Sequence, residues 1–205
     1  MRNKEFDPEG VLKGALAAFW QHGFECTNMP ELLDSMGVGR ASFYNAFGSK
    51  RAVFLRILDL YFETVRSHLE GLITGADDSP QAVTLLVDGI LNVARSSEAS
   101  ATGWRGCLIG NTALELGAND PEIVDRLRKG VETLRALFRK AIALTSGVKR
   151  SEREIDQAAL QLVASVQGLL VLAKSGLPSA DIETARAAIV VSIFDHWGSD
   201  RERSP

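Results

Sequence analysis

Apolar residues recur at intervals of three and four along nearly the whole chain, which is the period of one face of an α-helix. No segment of the sequence alternates apolar and polar residues over the length of a strand. Capping side chains precede a proline at Asp7, Ser79 and Asp120, and Ser151 with Glu154 forms a capping box. Thr27 and Ser49 are further candidates for helix caps. The sequence therefore predicts an all-α protein with about nine helices. They lie near residues 8–22, 28–36, 40–47, 49–74, 80–96, 103–117, 121–146, 151–175 and 179–197.

Two short predicted helices, 28–36 and 40–47, are separated by only three residues. Such a short connection predicts a helix-turn-helix rather than a hairpin of antiparallel helices. Phe43 and Phe47 are four residues apart, so we expect both rings to face inward and the other side chains of the second helix to face solvent. Those side chains are short or can form hydrogen bonds, and they are Arg40, Ala41, Ser42, Tyr44 and Asn45.

Positive charge is concentrated near this helix. The net charge of the 205 residues is −3, but it is +1 over residues 1–56 and −4 over residues 57–205. The second helix is followed by Lys50, Arg51 and Arg56 before any acidic residue occurs. DNA phosphates are attracted to such a surface, and short polar side chains let a helix approach base edges. The pattern favours DNA binding, while a helical hairpin with a solvated basic rim is the alternative on these residues alone.

The segment FWQHGFECTNMPELLDSMGVGRASFYNAFGSKRAVF, residues 19–54, resembles the N-terminal domain of the TetR family of bacterial transcriptional repressors. The matching features are an aromatic-rich first helix, a glycine at the turn, and several polar and aromatic positions. They are His22, Gly23, Phe24, Thr27, Gly37, Val38, Tyr44, Phe47, Ser49 and Lys50. The remaining residues match the family only in the number and length of their helices.

The resemblance implies a DNA-binding domain over residues 1–52 and a helical domain for effector binding and dimerisation over residues 53–205. It also implies a repressor that a small effector releases from a palindromic double-stranded operator. Two sets of DNA contacts follow from the family pattern. Base edges are assigned to Arg40, Ala41, Ser42 and Asn45, and backbone phosphates to Thr27, Tyr44 and Lys50.

Three residues depart from the family pattern, and one of them, Pro30 in the first turn of the second helix, is tolerable because its missing N–H would be unpaired there. Gly39 stands where the family usually has a capping serine or threonine, so one cap hydrogen bond is absent. Arg51 replaces a frequent glutamate in the first turn of the next helix. A cation is unfavourable at a helix N-terminus unless an anion is near. We therefore expect Arg51 to contribute an additional phosphate contact.

The last two predicted helices, 151–175 and 179–197, are apolar on more than one face. A surface helix needs only one apolar stripe, so the excess indicates either a partner or complete burial within one chain. The resemblance implies a homodimer in which these helices form a four-helix bundle with their symmetry mates. The apolar residues are Leu160, Leu162, Val163, Val166, Leu169, Leu170, Val171, Leu172, Ile182, Ile189, Val190, Ile193, Phe194 and Trp197.

The predicted helix 103–117 places Trp104, Cys107, Leu108 and Asn111 at three- and four-residue spacing. In TetR-like proteins this region lines a ligand cavity, so the resemblance implies that these residues contact the effector. Core packing is the alternative for the ring and the leucine, whereas a buried amide needs hydrogen-bond partners.

The Gly-Cys-Leu sequence around Cys107 resembles a subset of the family that includes electrophile-sensing repressors. Arg105, Arg139 or Lys140 near the sulfur would lower the pKa of the thiol and make it reactive. Inert packing of a buried cysteine is the alternative.

Catalytic and metal chemistry find little support in the sequence. His22, His68 and His196 lack metal-ligand spacing and no nucleophile motif is present, so we expect no enzyme activity, metal or cofactor. Cys26 and Cys107 are expected to be free thiols. A polar N-terminus and the lack of a sufficiently long apolar segment predict a cytoplasmic protein outside the membrane. A helical adaptor that binds other proteins through its apolar helices is the alternative function.

Overall fold

The computed structural model describes residues 8–95, 101–117, 119–144 and 150–198. Within these ranges the chain forms nine α-helices and one isolated antiparallel bridge, between Arg95 and Trp104. The predicted all-α class is confirmed. The helices are α1 (Pro8–His22), α2 (Met29–Met36), α3 (Arg40–Phe47), α4 (Lys50–Ile73), α5 (Ser79–Ala94), α6 (Leu108–Leu116), α7 (Pro121–Ile142), α8 (Glu152–Lys174) and α9 (Ser179–Gly198).

Local capping sets the helix starts, with two differences from the sequence prediction. The capping box of α8 forms as predicted. Helix α2 is capped by Asn28 rather than Thr27, and α5 by Asp78 rather than Ser79. Both observed caps have extended backbone conformation and accept a backbone hydrogen bond from the residue three positions later, as a helix N-cap requires. Asp7 lies outside the described residues.

Helix α6 begins at Leu108, five residues later than predicted. The cause is the backbone at two glycines, because Gly103 and Gly106 have φ angles of +71° and +73°. These left-handed values interrupt a right-handed helix. Trp104 and Cys107 therefore precede α6, and the four predicted effector residues do not share a helix face.

Packing divides the chain into two units. The first comprises residues 1–63 and 111–127, and the second comprises residues 64–110 and 128–205. The predicted functional boundary at residue 52 stays a prediction. Large side chains that are fully buried in the first unit include Phe19, Leu32, Phe43, Phe54 and Ile57. Those in the second unit include Leu69, Leu86, Phe138, Leu162 and Leu170.

Helices α1 and α2 of the first unit approach each other closely at Gly14. A Cβ atom at this position would lie 1.9 Å from the backbone oxygen of Ser35, so only glycine fits. Helix α1 also packs on α4, where the ring of Phe19 meets the ring of Phe54 edge-on with a centroid distance of 5.1 Å. The contact at Gly14 therefore fixes how closely α2 packs on α1.

Helix α8 contains a long apolar stretch. By length and composition alone it could cross a membrane, a criterion that core helices of soluble proteins also meet. Val166 and Leu170 are buried within the second unit, and ion pairs from Arg135 and Arg139 to Asp156 join α7 to α8. One face of α8 therefore serves the core of its own unit.

Candidate nucleic-acid interface

Helix α3 presents one buried and one exposed face. Phe43 and Phe47 are 0% and 6% exposed, which confirms their predicted inward orientation. Their rings pack at a centroid distance of 5.7 Å. The opposite face is exposed as predicted and consists of Arg40, Ala41, Ser42, Tyr44 and Asn45. A short helix anchored by two aromatic rings can thus offer its polar face to a duplex groove.

Aromatic contacts order two of these side chains. Tyr44 is 42% exposed and meets Phe43 edge-on at 5.3 Å. The guanidinium carbon of Arg40 lies 5.9 Å from the centre of the Tyr44 ring, within the range of a cation–π contact. Gly39 provides no side-chain cap hydrogen bond to α3, as predicted. The arginine and the phenol therefore share the exposed first turns of α3.

The start of α4 is arranged to attract an anion. Ser49 Oγ accepts a hydrogen bond of 3.1 Å from the backbone N–H of Ala52, so Ser49 caps α4 as predicted. The first turn of α4 contains no acidic residue. Lys50 is half-buried, and its Nζ lies 4.5 Å from the centre of the Phe24 ring. Free N–H groups at a helix start and a nearby ammonium group form a favourable environment for phosphate.

The hydroxyl of Thr27 is buried and has an intramolecular partner. Its side chain is 0% exposed, and Oγ1 donates a hydrogen bond of 2.6 Å to the backbone oxygen of Gly23. A buried hydroxyl already used to close the turn between α1 and α2 cannot reach DNA without opening that turn. Contact of Thr27 with a phosphate therefore stays a prediction, and it requires this hydroxyl to leave Gly23.

Arg51 also has intramolecular partners. Its Nε and Nη2 donate to both carboxylate oxygens of Asp120 at 2.8 to 3.0 Å, and Nη2 lies 2.9 Å from Glu122 Oε2. These hydrogen bonds raise the pKa of Arg51 and lower the pKa values of Asp120 and Glu122. Two carboxylates at the start of α7 thus balance the charge of this guanidinium, and its contact with a phosphate stays a prediction.

A third carboxylate in the same segment was not singled out from the sequence. Glu115, near the end of α6, accepts hydrogen bonds from the backbone N–H groups of Phe24 at 3.0 Å and Glu25 at 2.7 Å. No local sequence signal reveals this contact, because the partners are about 90 residues apart. It emerges only when residues 111–127 pack within the first unit.

The residues predicted to contact an effector are largely buried. Trp104, Cys107 and Leu108 are 8%, 6% and 1% exposed, and Asn111 is half-buried. Gln167 Nε2 of α8 donates to Cys107 Sγ at 3.5 Å. The thiol therefore lies between the segment before α6 and the middle of α8.

Two of the three cationic groups predicted to approach this thiol have partners elsewhere in the described chain. Arg139 forms ion pairs with Glu152 and Asp156, and Arg105 Nε donates to the backbone oxygen of Arg95 at 3.3 Å. The guanidinium of Arg95 lies 4.9 Å from the centre of the Trp104 ring. A surface groove of about 620 Å³ lies on α7 and α8, and none of the predicted effector residues lines it.

Two family models match the chain. The first, bacterial regulatory proteins of the tetR family, matches residues 11–57, which include α3 and the start of α4. The second, a tetracyclin repressor-like C-terminal domain, matches residues 83–189 and so covers more than half of the chain. The two matches together span the helix-turn-helix and most of the second unit.

Individual relatives agree with these matches. An uncharacterized HTH-type transcriptional regulator in the lacX 3′ region of Lactococcus lactis subsp. lactis is 29% identical over 81% of this chain and 82% of its own length. The HTH-type transcriptional repressor BdcR of Escherichia coli K12 is 31% identical over 60% of this chain and 59% of its own length. A solved structure of the TetR family regulator CifR, a cysteine mutant complexed with 26-bp operator DNA, has a TM-score of 0.73 and 27% identity, covering 91% of this chain and 99% of that one. The chain therefore belongs to the TetR family and is a helix-turn-helix transcriptional regulator rather than an enzyme.

Proposed function

We propose that this protein represses transcription by binding a palindromic operator as a homodimer, and that a small effector releases it. The observation that carries the proposal is the polar, exposed face of α3 beside Lys50 at the start of α4. The relatives BdcR, a repressor, and CifR, solved on operator DNA, support it. A helical adaptor is not favoured, because an adaptor does not need this face.

The exposed residues divide by the chemistry they can perform. Arg40, Ala41, Ser42 and Asn45 lie on the outward face of α3, where side chains can contact base edges in the major groove. Tyr44 and Lys50 flank this face and carry a hydroxyl and an ammonium group, which suit phosphate oxygens. We omit Thr27 and Arg51 from the interface because their polar groups have intramolecular partners.

The test is a pair of charge-removing variants measured against a selected operator fragment by fluorescence anisotropy at several salt concentrations. Lys50→Met keeps an unbranched apolar stem near Phe24 but removes the charge. We expect weaker operator binding and a log–log salt slope smaller by about one, the change for one lost phosphate contact. Lys129→Met, on the exposed surface of α7, is the matched control and should leave both unchanged.

Arg40→Ala tests the base-reading assignment separately. It should reduce the preference for the operator over an unrelated duplex, because it removes a contact to base edges. Unchanged affinity and salt slope in Lys50→Met, together with unchanged preference in Arg40→Ala, would contradict the proposed docking of α3.

The proposed dimer uses the outward face of α8 and α9. Leu160, Val171 and Leu172 of α8 and Val191 of α9 are 48%, 52%, 50% and 50% exposed. By contrast, Ile193 is buried within its own unit. A symmetric pair of chains would cover the exposed residues and place two α3 helices about 34–36 Å apart, the spacing of successive major grooves on one side of DNA.

The proposed effector acts in the region of Trp104, Cys107, Leu108 and Asn111. Because the ring and thiol are nearly inaccessible, an effector must displace some of their packing to enter. An effector lowers operator affinity only to the extent that it binds the released conformation more tightly. Trp104→Ala and Asn111→Leu should therefore change the effector response in a compound screen without changing operator affinity in its absence.

Electrophile sensing by Cys107 is the finer form of this proposal. The contact of the thiol with Gln167 places it where an added group would push on α8. If Cys107→Ser loses the response to an electrophile such as N-ethylmaleimide but responds to neutral ligands, the signal is covalent. An unchanged response to both would assign Cys107 to packing alone.

A regulator that binds a bacterial operator acts in the cytoplasm, where we expect this protein.

A further inference from the structure

Three carboxylates from one eight-residue segment contact the two flanks of the helix-turn-helix. Glu115 binds the backbone just before α2, at Phe24 and Glu25. Asp120 and Glu122 bind Arg51, just after α3. The segment between these contacts in the chain, residues 26–50, contains all of α2 and α3.

We propose that Glu115, Asp120 and Glu122 form an acidic brace that fixes both flanks of the helix-turn-helix, and that Arg51 supports operator binding through this brace rather than through a phosphate. This inference rests on operator binding by α3. It makes Arg51 a positioning residue.

The geometry at Arg51 favours this role. Two guanidinium nitrogens bind both carboxylate oxygens of Asp120, an arrangement that fixes orientation as well as distance. Asp120 is itself held, because its Oδ1 accepts from the backbone N–H groups of Glu122 and Ile123 at 3.1 and 3.3 Å. Arg51 is thereby attached to the rigid first turn of α7.

A second pair of charges extends the brace along the same two helices. Arg126 of α7 binds Asp59 of α4 at 3.1 Å and Glu122 at 3.0 Å. The carboxylate of Glu122 is therefore shared by two arginines, Arg51 and Arg126. Networks of this kind restrain helices more effectively than isolated surface pairs.

A brace affects operator binding because a fixed recognition helix loses less freedom on association. The same restraint would be irrelevant if Arg51 left the carboxylates to bind a phosphate. The two roles predict different affinities for the charge-conserving variant Arg51→Lys and different salt slopes for the charge-removing variant Arg51→Gln.

The experiment measures operator affinity and its salt slope for Arg51→Lys, Arg51→Gln, Asp120→Asn and their combinations. Lysine keeps the positive charge but cannot form the bidentate hydrogen bonds of the guanidinium group. Asparagine removes the charge of residue 120 but remains a good N-cap, so α7 keeps its start. Thermal melting of each variant monitors folding, and Lys129→Gln is the control for loss of one α7 charge.

For a brace, Arg51→Lys, Arg51→Gln and Asp120→Asn should each weaken operator binding by about two- to fivefold, the range of exposed ion pairs, with the salt slope unchanged. The double variant Arg51→Gln/Asp120→Asn should be no weaker than either single one, because both remove the same interaction. Glu115→Gln should weaken binding additively, since it acts at the other flank.

For a direct phosphate contact, Arg51→Lys should keep most of the affinity, Arg51→Gln should reduce the salt slope by about one, and Asp120→Asn should strengthen binding. That combination would overturn the inference. Equal affinity of all variants and wild type would overturn it as well. If wild-type protein bound no operator, the proposed function would fail first, so the two failures are distinguishable.

Discussion

Dimerisation through α8 can be tested at Leu172, one of the most exposed apolar residues of the described second unit. Half of this side chain is accessible in the single chain. Complete burial of a leucine contributes about 1.5–3 kcal/mol, so covering the exposed half contributes about 0.7–1.5 kcal/mol. A two-fold axis places the residue in the interface twice, which gives about 1.5–3 kcal/mol for each dimer.

Leu172→Ala should remove most of this contribution, which corresponds to a dimer Kd that is about 10- to 100-fold weaker. Sedimentation equilibrium over a wide range of protein concentration measures that shift directly. The melting temperature of the monomer should change little, because the truncated atoms are partly in solvent. Leu160→Ala, just over three turns earlier on α8, should behave in the same way.

Leu114 supplies the matched control. It is also a leucine on a helix and is 81% exposed, but it belongs to α6 and to the first unit. Leu114→Ala should leave the dimer Kd unchanged. Wild-type dimerisation in both α8 variants, or equal weakening in Leu114→Ala, would refute the argument that exposure on α8 marks the interface.

Three further predictions concern packing, acid stability and the thiol. Gly14→Ala should lower the melting temperature, since overpacking against Ser35 costs about 1–3 kcal/mol. Gly71→Ala is the control in the same calorimetric scan, and it should be neutral or stabilising because a Cβ there meets no atom within 4 Å. Two arginines lower the pKa of Asp156, so its ion pairs stabilise the fold above the ordinary aspartate pKa and are lost as pH falls through the lowered one. Wild type should therefore melt at a higher temperature than Asp156→Asn at neutral pH, and the difference should vanish in acid. Because Cys107 is buried and Cys26 is exposed, alkylation should be slower at Cys107 than at Cys26 in the folded protein, and denaturant should remove the difference, which peptide mass mapping can follow.

Local patterns were sufficient to predict much of the fold and the DNA-facing helix. The three- and four-residue periodicity and the capping residues placed eight of the nine helices to within a few residues. The orientation of α3 followed from Phe43 and Phe47 alone. These predictions succeed because helix formation, capping and amphipathicity depend on residues within one or two turns of each other.

The sequence could not predict which polar groups already have partners in the folded chain. Thr27 matches the family pattern, and Arg51 carries a charge that suits a phosphate. In the folded chain, however, Thr27 donates to the backbone oxygen of Gly23 and Arg51 donates to Asp120. The acceptor for Arg51 lies 69 residues away in the sequence, and no local rule connects the two. Tertiary packing decides such pairs because it determines which charges come within hydrogen-bond distance.

The same distinction applies to the effector region and to the dimer surface. Three- and four-residue spacing continued through Gly103 and Gly106, but their left-handed backbone places Trp104 outside α6. In α9, Ile193 and Val191 are both β-branched apolar residues, and only packing within the second unit buries the first and leaves the second exposed. Hydrophobicity alone determined that these helices must bury apolar surface. The tertiary structure determined which part of that surface remains for a partner, because each unit covers only one face of each of its helices.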